Sequence, residues 1–293
     1  MSARLQASRA SRPSDAELIS AREFLPGQWL QTYRAPSLAA SLRPGQYLQV
    51  DAPIGWGVPM RRPVTVHSVD RGRGEVSVHL DSADPATTWL STVRPSENVA
   101  LLGPLGRPVR VDPRSHQLLL IAEGPAVAGL RFIADEALTA GRRVTLLLGA
   151  HGAAEVYPSS LLPDEVEYVV ATDDGSVGHV GSVVDLVTRY EAWADQAFAA
   201  GPPAMLATLA RLAAGREKRL GVARLGRRGG RAPARGSQRA RPRSWLQVLL
   251  PQRVGCALGV CLGCVVMGSD GPTRVCREGP VYEVDELTWD DPT

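Results

Sequence analysis

Two residue types are nearly missing from this 293-residue chain: Lys218 is its only lysine, and no cysteine precedes Cys256. The late start of the cysteines excludes a disulfide framework spread through the chain. No run of about 18 apolar residues occurs, so hydropathy gives no membrane-spanning helix. No apolar segment near the N-terminus has the form of a secretory signal. The five histidines lack metal-ligand spacing, and no Ser-His-Asp set, Walker A loop or metal-hydrolase motif is present. No internal repeat stands out. These absences leave a globular chain, expected in a reducing cytoplasm, with hydrophobic content of 44% and room for two domains and an appendage.

Charge is unevenly spread. The net value of +3 hides an Arg-rich run at 216–243, where ten arginines and Lys218 face Glu217 alone. Glycine, serine, Pro233 and Pro242 interrupt it, and it has no apolar period, so it reads as an inserted linker over 219–244. It has no interleaved aromatics, which disfavours nucleic-acid recognition. Residues 1–15 are rich in Ser and Arg and are expected to be a disordered tail.

Residues 16–112 read as β structure. Short runs such as Tyr47-Leu48-Gln49-Val50, Val64-Thr65-Val66 and Val76–Leu80 are separated by Pro26-Gly27, Pro44-Gly45, Gly103-Pro104 and Gly106. Many short strands punctuated in this way predict an antiparallel barrel. The pattern changes over 113–218. Leu118–Ile121, Val144–Leu148 and Val166–Val170 are continuous apolar runs, alternating with helical stretches. That alternation predicts a parallel α/β nucleotide-binding domain. In the last segment, 245–293, Leu246–Leu250 reads as one more strand leading into the cysteines. The class is therefore α+β multidomain: barrel, α/β domain and a small C-terminal module.

Cys256, Cys261, Cys264 and Cys276 follow C-x4-C-x2-C with a fourth cysteine after eleven residues. This is the plant-type spacing for a [2Fe–2S] cluster held by four thiolates. Gly255, Gly259 and Gly263 give the loop freedom to fold around it. A zinc site or inert thiols are the alternatives, although zinc favours paired C-x2-C knuckles. A second constellation, Arg62-Pro63-Val64-Thr65, joins a charged fork, a strand and a hydroxyl, a set able to hold a flavin and its phosphate.

With Gly103–Gly106, Thr172–Ser176, Gly201–Leu206 and Cys276–Tyr282 in the same order, the chain resembles the electron-transfer subunit of class 1B dihydroorotate dehydrogenase, in the ferredoxin reductase superfamily. The resemblance covers about residues 20–290 apart from the Arg-rich run. It implies FAD between barrel and α/β domain and a [2Fe–2S] cluster on the four cysteines. It implies an FMN-containing catalytic partner that oxidises dihydroorotate in pyrimidine biosynthesis, in a heterotetramer of two plus two subunits. Electrons would then pass through cluster and FAD to NAD+. By position, Arg62, Pro63, Val64 and Thr65 match the family's first FAD motif. His79, Leu80 and Asp81 fall at its second, and Ala86 and Thr87 stand where Gly-Thr meets a flavin phosphate. Asp81 replaces a residue that is often basic.

The NAD turn departs from the resemblance. It reads Ala122-Glu123-Gly124-Pro125-Ala126-Val127-Ala128-Gly129, where Glu123 brings negative charge toward a pyrophosphate and Pro125 removes a donor. Ala200 stands in place of a cysteine before Gly201-Pro202-Pro203. Two alternatives therefore stay beside the main reading: a flavin and iron–sulfur reductase serving another oxidoreductase, or a redox carrier or sensor without a nicotinamide site. Asp173 and Asp174 read as a turn rather than as acid–base groups.

Overall fold

The computed structural model describes residues 13–51, 61–82, 85–220, 244–251 and 254–289. The Arg-rich linker and the N-terminal tail fall almost wholly outside these residues. The exceptions are informative. The first strand begins at Ser14, so two residues assigned to the tail are barrel, and Arg219 still belongs to a helix.

Six strands close the barrel: β1 (Ser14–Leu25), β2 (Gln28–Arg34), β3 (Tyr47–Val50), β4 (Arg62–Asp70), β5 (Glu75–Asp81) and β6 (Asn98–Leu105), in spatial order β1-β2-β5-β4-β3-β6. All its pairings are antiparallel. Helices α1 (Pro36–Ser41) and α2 (Pro85–Thr88) lie in its connections. Alternation sorts the side chains of β3 and β4. Leu48, Val50, Val64 and Val66 fill the barrel core. Tyr47 pairs with Thr65 and Gln49 with Pro63 across the same two strands, so these four share the outer face. That face is turned to the second domain, and Tyr47 is buried in the other domain's core rather than in the barrel.

The second domain is built on a seven-stranded sheet. Its strands are β7 (Gln117–Glu123), β8 (Arg143–Ala150), β9 (Glu167–Thr172), β10 (His179–Val180), β11 (Gln196–Ala200), β12 (Leu246–Leu249) and β15 (Val281–Glu283), ordered β10-β9-β8-β7-β11-β12-β15. The apolar runs of β7, β8 and β11 are buried on both faces, as interior parallel strands must be. The sheet is not wholly parallel as expected: β15, returning from the cysteine segment, adds antiparallel to β12. Helices α3 (Ala128–Thr139), α4 (Val183–Tyr190) and α5 (Pro203–Arg219) cover it. Ser182 caps α4, accepting from Val184 N at 3.2 Å while Asp185 accepts from Ser182 N at 3.0 Å.

Two contacts join the domains near the future site. Phe132 of α3 enters the barrel's core cluster, and the ring of buried His67 on β4 meets the Tyr157 hydroxyl at 2.5 Å. Chain order reverses between β7 and β11, which opens a crevice at their C-terminal ends where α/β folds bind ligands.

Candidate functional site

The cysteine segment folds on a hairpin that the spacing alone does not reveal. β13 (Val265–Gly268) and β14 (Gly271–Arg274) pair antiparallel, with Val265 opposite Arg274 and Gly268 opposite Gly271. The eleven residues between Cys264 and Cys276 are therefore an out-and-back ribbon that returns the fourth cysteine to the third. Val275 N donates to the Cys264 carbonyl at 3.0 Å, and Cys276 sits on the short helix α6 (Val275–Glu278). Arg274 fixes this return. Its guanidinium grips Glu278 through two bonds of 3.1 and 2.6 Å and donates to the Gly259 carbonyl at 3.3 Å.

The loop itself curls through left-handed backbone at Ala257, Gly259 and Leu262, with φ of 53°, 77° and 58°. Gly259 is required: a Cβ there would stand 2.8 Å from Arg277 Cγ. The curl aims backbone N–H groups of Cys261, Leu258 and Val260 at the Cys256 sulfur. Burial resists ionisation of Cys256, but these donors and the Cys261 thiol outweigh it and bring the thiol down to about 6. Burial pushes Cys276 up to about 12, reinforced by the neighbouring Cys264. The Val275 N to Cys264 O bond thus sets Cys276 beside Cys264, while Cys256 and Cys261 stand at the two ends of the curl. Cys264 and Cys276 are buried, while Cys261 is exposed. No set of three or more His, Cys, Asp and Glu among the described residues converges on a single ion position. The C-x4-C-x2-C spacing, with the fourth cysteine returned to the third by the hairpin, suits two bridged irons better than one tetrahedral zinc. The buried Cys276 thiol ionises only against strong positive charge, which bridged irons would supply.

Between barrel and sheet lies a cavity of about 550 Å³, within the range that holds a cofactor. Pro63, Val64, Thr65, His79, Leu80, Asp81 and Thr87 line it from the barrel side. Glu123, Pro125, Ala126, Gly129, Ala200 to Pro203 and Leu249 to Pro251 line it from the sheet side. The sequence-predicted flavin residues of β4, β5 and α2 are thus brought to one wall. Thr87 donates to the Asp81 carbonyl at 2.9 Å, and His79 meets Gln28 Oε1 at 2.6 Å. Burial drives the His79 ring down to about 4, so it is neutral. Arg62 opens β4 but is not among the lining residues, and the Ala86 side chain lies outside the described residues. Apolar strand walls with two hydroxyls and a neutral imidazole suit a flat, mostly apolar ring carrying polar edges. Sequence reasoning placed Gly129 only in the nucleotide turn; in α3 it also keeps the cavity open beside Thr65 Cγ2, 3.6 Å from where a Cβ would stand. It also missed the wall formed by Leu249, Leu250 and Pro251.

The crevice at the reversal point carries Glu123, the last residue of β7, against Gly201 after β11. A Cβ on Gly201 would lie 3.3 Å from that of Glu123. Desolvation raises the Glu123 carboxyl above its usual range, as does Asp173, while His151 pulls it down. Asp173 meets His151 Nδ1 at 2.8 Å. Asp174 accepts from the Ser176 amide at 2.9 Å, the turn role expected for it. Gly124 has φ of 57° and open space around it, so backbone approach remains free there.

A closed antiparallel barrel joined to a doubly wound sheet, with a cavity between them, defines the ferredoxin-reductase type of fold. Solved structures agree. One described as an NADH-dependent reduced ferredoxin-NADP oxidoreductase superposes with a TM-score of 0.74, at 22% identity, over 95% of this chain and 91% of that one. A ferredoxin reductase of carbazole 1,9a-dioxygenase gives 0.59 at 19% identity, over 69% of this chain and 65% of that one. Sequence relatives narrow the class. The chain is 28% identical over 287 residues to the electron-transfer subunit of dihydroorotate dehydrogenase B (NAD(+)) from Desulforamulus reducens, spanning 96% of this chain and all of that one. The corresponding subunit of Bacillus caldolyticus is 29% identical over 250 residues, 84% of this chain and 86% of its own length. Residues 252–288 match the family described as the iron-sulfur cluster binding domain of dihydroorotate dehydrogenase B. The chain is thus similar along nearly its whole length to dihydroorotate dehydrogenase B electron-transfer subunits.

Proposed function

We propose that this chain is the electron-transfer subunit of a dihydroorotate dehydrogenase of pyrimidine biosynthesis. It would take electrons from the FMN of a catalytic subunit and pass them through a [2Fe–2S] cluster and FAD to NAD+. The observation that carries this reading is the shared wall of the two sites. Leu249 to Pro251 line the cavity, and Cys256 follows Pro251 by five residues in the sequence. The outer face of β3 and β4 touches the cysteine loop through Gln49, whose Nε2 donates to the Gly255 carbonyl at 2.8 Å, and the cavity through Thr65.

Cys256 and Cys261 would hold one iron, and Cys264 and Cys276 the other. Pro63 to Thr65, His79 to Asp81 and Thr87 would enclose the flavin, with Arg62 and Ala86 completing its phosphate end. A flavin, when bound, exchanges hydrides as well as single electrons, which a one-electron cluster and a nicotinamide jointly require. The residues of this chain orient and shield. The strand walls would exclude water from the ring, Thr65 would offer its hydroxyl to the polar edge, and Thr87 would stand at the phosphate end. Leu258, Val260 and Leu262 are exposed beside the thiols, an apolar rim suited to a docked catalytic subunit. A two-plus-two heterotetramer in the cytoplasm completes the reading.

Glu123 and Pro125 favour a second reading, a carrier or reductase that does not serve NAD. One experiment separates them: anaerobic mixing with an FMN-containing catalytic subunit and dihydroorotate, with and without NAD+. The proposal expects co-purification, bleaching of the cluster and flavin bands, and NADH formation. Bleaching without NADH supports the second reading. No transfer from dihydroorotate overturns the first.

A further inference from the structure

Tyr47 belongs to β3 of the barrel, yet its side chain leaves the barrel. It is fully buried in the core cluster that also holds Ala257, Cys264, Cys276 and Tyr282. The ring is fixed in place. A Cβ on Gly106 would come within 3.0 Å of Tyr47 Cε1, so only glycine leaves room for the ring there. The phenol oxygen at the end of this ring is buried and has no hydrogen-bond partner among the described residues. A buried hydroxyl left without a partner is destabilising, so its persistence needs an explanation. The same Cβ position on Gly106 lies 3.0 Å from the Gly279 carbonyl, so the ring stands beside the segment that leaves Cys276. Burial raises the phenol's ionisation above the ordinary tyrosine value, so it stays a donor.

We propose that Tyr47 donates its phenolic hydrogen bond to a sulfur of the [2Fe–2S] cluster beside the Cys264–Cys276 pair, and so sets the cluster's reduction potential. This rests on the cluster reading given above. A hydrogen bond to a cluster sulfur stabilises the more negative, reduced state and raises the potential. Tyr47 is also the direct cross-strand partner of Thr65, which lines the cavity. One strand pair therefore tunes the cluster at one residue and encloses the flavin at the next. Tyr47 acts here as a positioning and tuning residue, not as a catalytic one.

The test is an anaerobic redox titration of the full chain, followed by electron paramagnetic resonance and by the flavin absorbance. In Tyr47→Phe the cluster assembles with wild-type iron content. Its reduction equilibrium falls about tenfold, about 59 mV for a one-electron couple, and the flavin midpoint stays in place. A second variant, Tyr47→3,5-difluorotyrosine, makes a stronger donor of nearly the same size and shifts the cluster potential the opposite way. It decides the matter should the phenylalanine variant fail to assemble. Cluster potential and g values equal to wild type in either assembled variant overturn the proposal. A wild-type chain with no cluster signal overturns it together with the reading on which it rests.

Discussion

Gln49 of the barrel donates through Nε2 to the carbonyl of Gly255, 2.8 Å away and separated from it by most of the chain. Gly255 immediately precedes the first cysteine, so the barrel holds the start of the thiol loop. Gln49→Leu leaves that carbonyl without its donor in a site where Gln49 is wholly buried. The expected cost is about 1–3 kcal/mol, read as a lower Tm and faster iron release to a chelator. An unchanged iron-release rate would show that the tether plays no part in holding the loop.

Gly259 provides the sharpest backbone test. It sits at φ of 77°, with Arg277 Cγ 2.8 Å from the site of a Cβ. Gly259→Ala is expected to lose about 1–2 kcal/mol from the left-handed backbone alone, with further loss from the clash. Purified variant protein should contain substoichiometric iron while keeping its flavin. Full iron occupancy would contradict this account of the curl.

The cavity and the thiol loop share a wall but should fail separately. Gly129→Leu extends a side chain from α3 toward Thr65 and Leu249, across the cavity. FAD content should drop sharply while the cluster's electron paramagnetic resonance signal persists. Full FAD content, in a folded protein, would mean that the cavity is not the flavin site, and simultaneous loss of both would mean that the two sites do not fail separately.

Acid sensitivity follows from His67. Desolvation, then the charges of Arg131, His79 and Arg22, lower its ring from 6.5 to about 3. Between those values the unfolded state binds the extra proton, so falling pH favours unfolding. The His67 contribution is complete above about pH 6.5 and is lost as pH drops toward 3. His79, lowered to about 4 by burial, adds in the same direction. Thermal melts from pH 7 to pH 4 should show falling Tm, and His67→Gln should flatten the slope. A wild-type Tm independent of pH over that range would contradict the burial assignment.

The sequence exposed some of this site and hid the rest for physical reasons. The C-x4-C-x2-C spacing is legible because the cluster is built from one local loop. The return of Cys276 is not, because Gly271-Pro272-Thr273-Arg274 carries little strand signal and depends on pairing with Val265–Gly268. Thr65 and Thr87 are legible as hydroxyls next to strands. Tyr47 and Gln49 are not, since all four residues of β3 are buried and hydrophobicity cannot separate its faces. Only the docking of a second domain on the outer face gives those two residues their role. Glu123 was legible as an oddity of the nucleotide turn, and it stands in the crevice wall beside Gly201. The antiparallel edge strand β15 was missed because Val281-Tyr282-Glu283 is too short to declare its direction.

The most direct measurement is an anaerobic visible spectrum of the purified chain before and after NADH. The account predicts flavin and iron–sulfur bands that bleach together, electrons entering from NADH by the reverse of the proposed path. Bands that respond only to dithionite would remove the nicotinamide end of the path, with Glu123 and Pro125 as the physical reason. A colourless, folded protein containing zinc would contradict the central claim outright.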